Sequence, residues 1–377
     1  MKPFHKLRLY TSILAAFIAV FFFILYQEYK YNLVSNISFF ESFPLLFENI
    51  YVKIIDFKFN PSFFNRSLVA LFHFISIFLF TYLLLSFFEY IKILSERKII
   101  YNAFSHYVNP RIAEAVLSDP KSLNLGGKNM EITVYFIDIK NFSYLLEIYS
   151  PQDVVQYLNN YFSEMAHIIL KNNGTVDKYD GDAIMAFWGA PTQQEDHALF
   201  ACKTALEQQK RLLILRKKWK KENMPQLKAD IAIASGNMVV GNIGSKGHFN
   251  YTVIGEGANV CFEIEQFNKI YGTNILATEE TYHLAKNKFE FREIQKVKLR
   301  NKKYIKIFEL LSAKGKLKPP FLKLRDSYHE ALGLFQMKTY SEAQKAINNC
   351  LKLVPNDKPS LVLKNKIDQF ISKTKGQ

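Results

Sequence analysis

The stretch GTVDKYDGDAIMAFWGAP, residues Gly174–Pro191, places three aspartates and a lysine between two apolar segments. Its Asp180-Gly181 pair is a signal for a tight β-hairpin turn, and the apolar run after Asp182 predicts a buried returning strand. An acid at the edge of an apolar core is costly unless it is paired or bound. The question that this stretch raises is therefore what its carboxylates bind.

The segments before the hairpin predict a strand and then a helix. The run EITVYFIDI, residues 131–139, is largely apolar with Asp138 near its end, which is typical of a buried strand with a carboxylate at its exit. The sequence SPQD at residues 150–153 supplies an N-cap, a proline at the first helical position and an acid in the first turn. These signals predict a helix as far as Leu170.

The chain after the hairpin predicts a second helix and several strands. A long helix is predicted over residues 196–222, and LKADIAIASG, residues 227–236, alternates as a strand does. Short strands follow at 251–254, at 274–278 and, as a pair, within 290–310. This order of elements predicts an α+β domain with a mixed sheet and helices packed on one of its faces.

Length and composition bound the class of protein. The chain has 377 residues, enough for one ordinary domain with additions on either side. Its three cysteines lie far apart without a CxxC spacing, which argues against a disulfide framework and a zinc site. The formal net charge of +15 suits anionic lipid, nucleic acid or a phosphorylated ligand. We expect no nucleic-acid partner, because the basic residues lie on ordinary amphipathic elements without a recognition module.

Two uncharged stretches near the N-terminus predict transmembrane helices. Residues 9–27 and 67–88 each have about the length that a helix needs to cross a hydrocarbon core of roughly 30 Å. Basic residues precede the first stretch and follow the second, so the positive-inside rule predicts a multi-pass protein of the cell (inner) membrane. Residues 1–8 and the C-terminus are then cytoplasmic, the loop 28–66 is extracytoplasmic, and residues 89–125 form a helical connector continuous with the second span.

Asp138 and Asp182 are the candidates for a metal site. Each lies at the end of a predicted strand, so the two carboxylates converge if those strands are neighbours. Mg²⁺ prefers such hard oxygen ligands and usually takes one or two carboxylates together with substrate phosphates. Acids at turns are also commonplace, and we expect Asp177 and Asp180 to be turn-forming, solvated acids rather than metal ligands.

Three motifs carry a resemblance to a known family. They are ITVYFIDIKNFSYL at 132–145, the hairpin stretch quoted above, and ADIAIASGNMVVGNIGSKGHFNYTVIGEGANV at 229–260. In this order they resemble the catalytic domain of the class III nucleotidyl cyclases over residues 126–312. The resemblance implies a ferredoxin-like α+β domain that acts as a homodimer with sites between protomers. It also implies two Mg²⁺ or Mn²⁺ ions per site and the conversion of a nucleoside triphosphate into a cyclic 3′,5′-monophosphate and pyrophosphate.

The resemblance assigns roles to single residues. Asp138 and Asp182, with the backbone carbonyl of Ile139, match the ligands of the metal pair. Lys178 and Thr252 match the two positions that recognise the purine, and a Lys with a Thr resembles the adenylyl rather than the guanylyl cyclases. ATP is therefore the expected substrate. A diguanylate cyclase is disfavoured, because the GGDEF-type hairpin is absent.

Further positions match the family less completely. Asn259 matches the residue that orients the ribose, and Arg300 lies approximately where a Lys contacts the phosphates. Asn141 and Phe142 match substrate-binding positions after the first metal ligand. Asn141 replaces the usual Gly there, a tolerable change because Asn also adopts left-handed backbone geometry.

The serious departure is Glu263, four residues after Asn259, where the family places an Arg that stabilises charge in the transition state. Loss of one such donor costs other enzymes roughly 10²–10³ in rate. We therefore expect an adenylyl cyclase of reduced activity. The alternative is a catalytically degenerate, nucleotide-binding protomer that pairs as a heterodimer with a complete cyclase.

The last segment, residues 313–377, predicts a small all-α tail. Its apolar spacing resembles one tetratricopeptide-type (TPR-like) helical pair. A single repeat buries its faces poorly, so the tail should pack on a further helix or on a protein partner. A third hypothesis is accordingly a membrane scaffold that acts through this tail.

Overall fold

The computed structural model describes residues 63–105, 112, 124–245 and 247–375. The predicted first span, residues 9–27, lies outside these ranges, as do residues 1–8 and most of the predicted loop. The described chain up to Tyr101 and the chain from Asn102 onward form two compact units.

Within the described ranges, the first unit is formed by helix α1, Phe63–Ser105, whose last four residues lie beyond the unit boundary. It contains the predicted second span, 67–88, and continues into the connector without a break as far as Ser105, as expected. Its segment Ala70–Glu96 is long and apolar enough to cross a membrane by length and composition. It is the one such helix in the ranges that the structure describes, whereas the sequence predicts two spans in the whole chain.

The second unit combines a sheet with helices. Its strands are β1 (Gly126–Ile139), β2 (Thr175–Asp180), β3 (Ala183–Trp188), β4 (Ala229–Ser245), β5 (His248–Ile254), β6 (Ile275–Thr278), β7 (Phe289–Lys298) and β8 (Tyr304–Ala313). Its helices are α2 (Phe142–Ile148), α3 (Pro151–Lys171), α4 (His197–Lys221), α5 (Glu256–Glu265), α6 (Phe267–Tyr271), α7 (Glu279–Ala285), α8 (Pro319–Gln336), α9 (Tyr340–Leu353) and α10 (Lys358–Lys375). Every strand and helix that the sequence predicts from residue 131 to residue 310 is present.

The strands form one mixed sheet in the order β2-β3-β1-β4-β6-β8-β7, with β5 paired to β4. β4 and β6 are parallel, and the other pairs are antiparallel. β1 lies between β3 and β4, which brings the end of β1 beside the β2–β3 hairpin. This neighbourhood fulfils the condition on which the predicted convergence of Asp138 and Asp182 depends.

Helices cover both faces of the sheet, so the prediction of helices on one face is wrong. One core contains Tyr135 and Ile137 of β1 with side chains of α3 and α4. The other contains Ile132 and Val134 of β1 with side chains of α5 and α6. β1 is apolar on both faces, because odd and even positions are both buried from residue 132 to residue 135.

Local signals explain how the elements around the site begin and turn. The backbone N–H of Asp153 donates to the Ser150 side chain at 3.2 Å, so the predicted N-cap of α3 is present. Gly181 has a φ of 61°, which suits the two-residue turn between β2 and β3. Asn141 has a φ of 58° and a ψ of 38° directly before α2, the left-handed geometry predicted for it.

The tail consists of α8, α9 and α10 around a separate small core, and it docks on β7. Arg292 of β7 is 5% exposed and forms ion pairs with Glu309 of β8 at 2.6 Å and with Asp357 at 2.9 Å. The Tyr328 hydroxyl of α8 donates to the carbonyl of Ile294 at 2.9 Å. The predicted all-α tail therefore packs against the sheet of its own chain.

Candidate active site

Two carboxylates meet where β1 ends. Asp138 is the penultimate residue of β1, and Asp182 lies in the β2–β3 turn. The register of β1 with β3 pairs Ile137 with Ile184, which sets the two aspartates side by side. Burial, and then the hydrogen bond and charge of Asp138, raise the pKa of Asp182 to about 7. The predicted convergence of the Asp138 and Asp182 carboxylates is therefore present in the structure.

These carboxylates open onto a cleft of about 720 Å³. Its lining is formed by Asp138, Ile139, Asn141, Phe142, Ser143, Tyr144, Asp182 and Lys269. All five residues predicted for this part of the site are thus in one cleft. Lys269 of α6 was missed, because it lies far along the chain and no motif points to it. Its charge acts to lower the pKa of Asp182, against the effect of burial.

Further charged residues lie near Asp138 and Asp182. Asp230 is paired with Asp138 in the β1–β4 register and forms an ion pair with Lys140. Lys140 also donates to the backbone carbonyl of Thr273 at 3.2 Å. Glu265 of α5 is 3% exposed, and burial, followed by the charges of Asp138 and Asp230, raises its pKa to about 7. Carboxylates thus accumulate around the cleft.

This arrangement fits a divalent cation. The charge of Asp138 raises the pKa of each of three other acids, Asp182, Asp230 and Glu265, and the lysines that oppose this effect are Lys140 and Lys269. Within the described residues no group of three or more His, Cys, Asp or Glu side chains could hold a metal. A cation bound by Asp138, Asp182 and the Ile139 carbonyl would therefore keep positions for water and phosphate oxygens, as Mg²⁺ does in nucleotide sites.

The two residues predicted to recognise the base lie around a third, Asp177. The Thr252 hydroxyl of β5 donates to Oδ2 of Asp177 at 2.8 Å. The Lys178 ammonium lies 4.0 Å from the same oxygen and is 51% exposed. The prediction that Asp177 is a solvated turn former is wrong, since its side chain is 1% exposed. Asp180, by contrast, is exposed as predicted.

A β-bulge explains why Asp177 is buried. In the β2–β3 register Val176 is opposite Ala186 and Lys178 is opposite Met185, so that Asp177 is the extra residue. Bulges redirect side chains, and this one turns the aspartate toward β5. The alternation of a regular strand does not reveal such an insertion, which is why the sequence pattern misplaced this acid.

The remaining candidates line another cleft, of about 530 Å³. Asn259 and Glu263 lie one helical turn apart on α5, and Arg300 lies across from them in the β7–β8 connection. Oε2 of Glu263 accepts a hydrogen bond from the backbone N–H of Arg300 at 2.8 Å. The three predicted catalytic positions are thus together, and Glu263 has a structural contact of its own.

The two clefts have no lining residue in common. Within one chain, therefore, the cleft of Asp138 and Asp182 does not contain Asn259, Glu263 or Arg300.

Comparisons with known proteins identify the class. Residues 127–312 match the model of the adenylate and guanylate cyclase catalytic domain, and this segment belongs to that family. The match agrees with the predicted boundaries, 126–312, and confirms the resemblance to the class III cyclases. The family includes enzymes for both purines, so the choice of base depends on individual residues.

Several known proteins are similar to this chain. Adenylate cyclase 1 of Rhizobium meliloti (strain 1021) is 31% identical over 192 residues, which are 50% of this chain and 29% of that protein. The adenylyl cyclase CyaB from P. aeruginosa is 29% identical, with a TM-score of 0.47 over 52% of this chain and 100% of that chain. A bacterial light-regulated adenylyl cyclase has the same fold, with 22% identity and a TM-score of 0.52 over 60% of this chain and 65% of that chain. The chain thus matches less than a third of the length of its R. meliloti relative.

Proposed function

We propose that this protein is a membrane-tethered adenylyl cyclase that converts ATP into 3′,5′-cyclic AMP and pyrophosphate. The main support is the convergence of Asp138 and Asp182 in one cleft of a nucleotidyl cyclase domain. The pair of Lys178 and Thr252 around Asp177 supports adenine as the base.

Each part of the site has a distinct task in this proposal. Two Mg²⁺ or Mn²⁺ ions, held by Asp138, Asp182 and the Ile139 carbonyl, would stabilise the attacking and leaving oxygens of a displacement at phosphorus. Lys178 and Thr252 bind the base. Asn259 orients the ribose, so that its 3′-hydroxyl faces the α-phosphate.

The phosphates have further contacts in the proposal. The guanidinium of Arg300 binds the polyphosphate, since it is exposed at the rim of the Asn259 cleft and carries five N–H donors. Asn141 and Phe142 border the cleft of Asp138 and Asp182, here called the metal cleft, and contact the substrate beside the proposed ions.

We infer that the active form is a homodimer. The supporting observation is that the metal cleft and the Asn259 cleft have no residue in common, so a second chain would complete each site. The protein is proposed to span the cell (inner) membrane twice, with both termini in the cytoplasm. For that proposal the structure contributes one apolar helix, Ala70–Glu96.

A second candidate function is supported by Glu263. This acid stands where the family has a catalytic Arg, and its carboxylate is held by the Arg300 backbone at 2.8 Å. A protomer of this kind could bind nucleotide without efficient turnover and pair with a complete cyclase. A scaffold that recruits a protein through the TPR-like tail has less support, because α8 and α10 already contact the catalytic domain.

The test is an assay of the full-length protein in detergent or nanodiscs with ATP and either Mn²⁺ or Mg²⁺. We expect cyclic AMP, and we expect Asp138→Ala and Asp182→Ala to lose more than the roughly 10–100-fold that loss of an outer-shell partner costs a metal site. Asp180→Ala is the matched control, because it removes an exposed acid from the same hairpin. Wild-type activity in either metal-ligand variant would refute the metal assignment, and nucleotide binding without product would favour the degenerate protomer.

A further inference from the structure

Asp177 is a buried acid in an otherwise exposed strand end. Its side chain is 1% exposed, whereas the neighbouring Lys178 side chain is 51% exposed, and Tyr179 is 51% exposed as well. A carboxylate at such a position costs free energy unless its partners hold it. Neither the sequence motif nor the metal site gives this acid a role.

The contacts of Asp177 are few and directional. Its Oδ2 accepts the hydroxyl of Thr252 at 2.8 Å and faces the Lys178 ammonium at 4.0 Å. Its Oδ1 is buried and has no hydrogen-bond partner among the residues that the structure describes. The carboxylate therefore touches both residues assigned to base recognition.

The direction of the Thr252 hydrogen bond restricts what Thr252 offers to a ligand. An ionised carboxylate accepts hydrogen bonds and donates none. Burial raises the pKa of Asp177, and the Thr252 hydrogen bond and the Lys178 ammonium act against that rise. The single hydroxyl hydrogen of Thr252 is thus committed to Asp177. Only the oxygen lone pairs of Thr252 remain for a ligand, so the residue becomes an acceptor toward the base.

Adenine and guanine differ at this point in donor character. The 6-substituent of adenine is an amino group, which donates, and that of guanine is a carbonyl, which accepts. A hydroxyl that is free to rotate could donate to the carbonyl and would bind both bases. A hydroxyl fixed as an acceptor favours the amino group and leaves the guanine carbonyl without a donor.

We propose that Asp177 is the positioning residue that makes Thr252 selective for adenine, by fixing its hydroxyl as an acceptor toward the 6-amino group. This inference rests on the proposed function and adds to it the residue that sets the choice of base. The effect of Asp177 passes through Thr252, because the carboxylate lies behind that hydroxyl and is itself buried.

The test compares ATP with GTP in the full-length protein. Asp177→Ala frees the Thr252 hydroxyl, and we expect the ratio of kcat/KM for ATP to that for GTP to fall by roughly tenfold or more, since a mispaired buried group costs about that much. The change should appear chiefly as a lower KM for GTP. Asp177→Asn fills the same space, keeps an acceptor in one orientation of its amide and should give a smaller fall.

Two further variants isolate the route of the effect. Asp180→Ala removes an exposed acid from the same strand and should leave the ratio unchanged. Thr252→Val removes the hydroxyl and keeps the shape of the side chain, so Asp177→Ala should change the ratio little in that background. A full additional effect in the double variant would show that Asp177 does not act through Thr252 and would overturn the inference.

Binding measurements complete the test if turnover is slow or a variant is unstable. Dissociation constants for α,β-methylene-ATP and α,β-methylene-GTP, which resist cyclisation, should show the same shift in preference. A wild type that prefers the adenine nucleotide while Asp177→Ala and Asp177→Asn keep its preference overturns the inference alone. A wild type that binds neither analogue and forms no product overturns the proposed function as well.

Discussion

Replacement of Glu263 by Arg tests the most unusual feature of this site. The substitution places a cation where the family has one, beside the proposed position of the phosphates. It also removes the carboxylate that accepts the backbone N–H of Arg300 at 2.8 Å. The expected result is a gain in rate together with a loss of folding stability.

Both contributions have known magnitudes. A restored donor to transition-state charge is worth about 2.7–4 kcal/mol, and loss of one hydrogen bond costs about 0.5–1.5 kcal/mol. The first figure acts on the activation barrier and corresponds to a rate increase of roughly 10²–10³-fold, whereas the second acts on folding stability and leaves the barrier unchanged. The structural loss should lower the melting temperature by about 1–6 °C.

Glu263→Gln separates charge from hydrogen bonding. The amide oxygen of Gln can still accept the Arg300 N–H, while the negative charge beside the phosphates is removed. We expect a rate between those of the wild type and Glu263→Arg, with the melting temperature unchanged. Initial rates of cyclic AMP formation at saturating ATP, with the oligomeric state measured for all three proteins, give the comparison.

Two results would refute this reasoning. If Glu263→Arg remains folded and dimeric but gains no activity, the cleft is deficient elsewhere and Glu263 is not the cause. If the wild type already forms cyclic AMP at a rate typical of complete cyclases of this family, another group supplies the missing donor.

Two further predictions concern stability. Glu265 is buried and its pKa is raised to about 7, so its ionisation opposes folding. In chemical denaturation, the free energy of unfolding of Glu265→Gln should exceed that of the wild type by up to about 3 kcal/mol. This difference should grow between about pH 4.5 and 7 and stay constant above pH 7. A gain of equal size at pH 4 would contradict this origin. Arg292→Ala leaves Glu309 and Asp357 without their shared cation and should cost about 3–5 kcal/mol, whereas Lys303→Ala, which breaks an exposed pair, should cost less than about 1 kcal/mol. Equal costs in the two variants would mean that the Arg292 cluster does not anchor the tail.

The features that the sequence predicts correctly are those with a local signal. The Ser150 cap, the Asp180-Gly181 turn and the left-handed Asn141 each depend on a few adjacent residues whose backbone preferences are strong. The convergence of Asp138 and Asp182 is predicted for a related reason. Each lies at a strand end, and the pairing of β1 with β3 in the structure fulfils the condition that the prediction set.

The features that the sequence does not predict depend on long-range packing. The bulge at Asp177 results from the fit of β2 against β3 and β5, and the pattern of charges around it suggests a solvated turn instead. Lys269 enters the cleft of Asp138 and Asp182 because α6 packs on the second face of the sheet, a face that the predicted fold left uncovered. Both errors arise where tertiary contacts override local preference.

The division of the site between two clefts determines how the Glu263 substitution would act in an assembly. In the proposed homodimer each site takes Asp138 and Asp182 from one chain and the wall formed by α5, with Asn259 and Glu263, from the other. Every site then contains Glu263, and none has the family's Arg. In a heterodimer with a complete cyclase the two sites differ: the partner's wall would face the carboxylates of this chain, and Glu263 would face the carboxylates of the partner. One site would then have all its groups. A chain that keeps its metal-binding and base-binding residues but has Glu263 on α5 is therefore deficient when it pairs with itself. When it pairs with a complete relative, it is sufficient for one of the two sites. The homodimer and the regulatory protomer thus differ in the partner chain rather than in the fold.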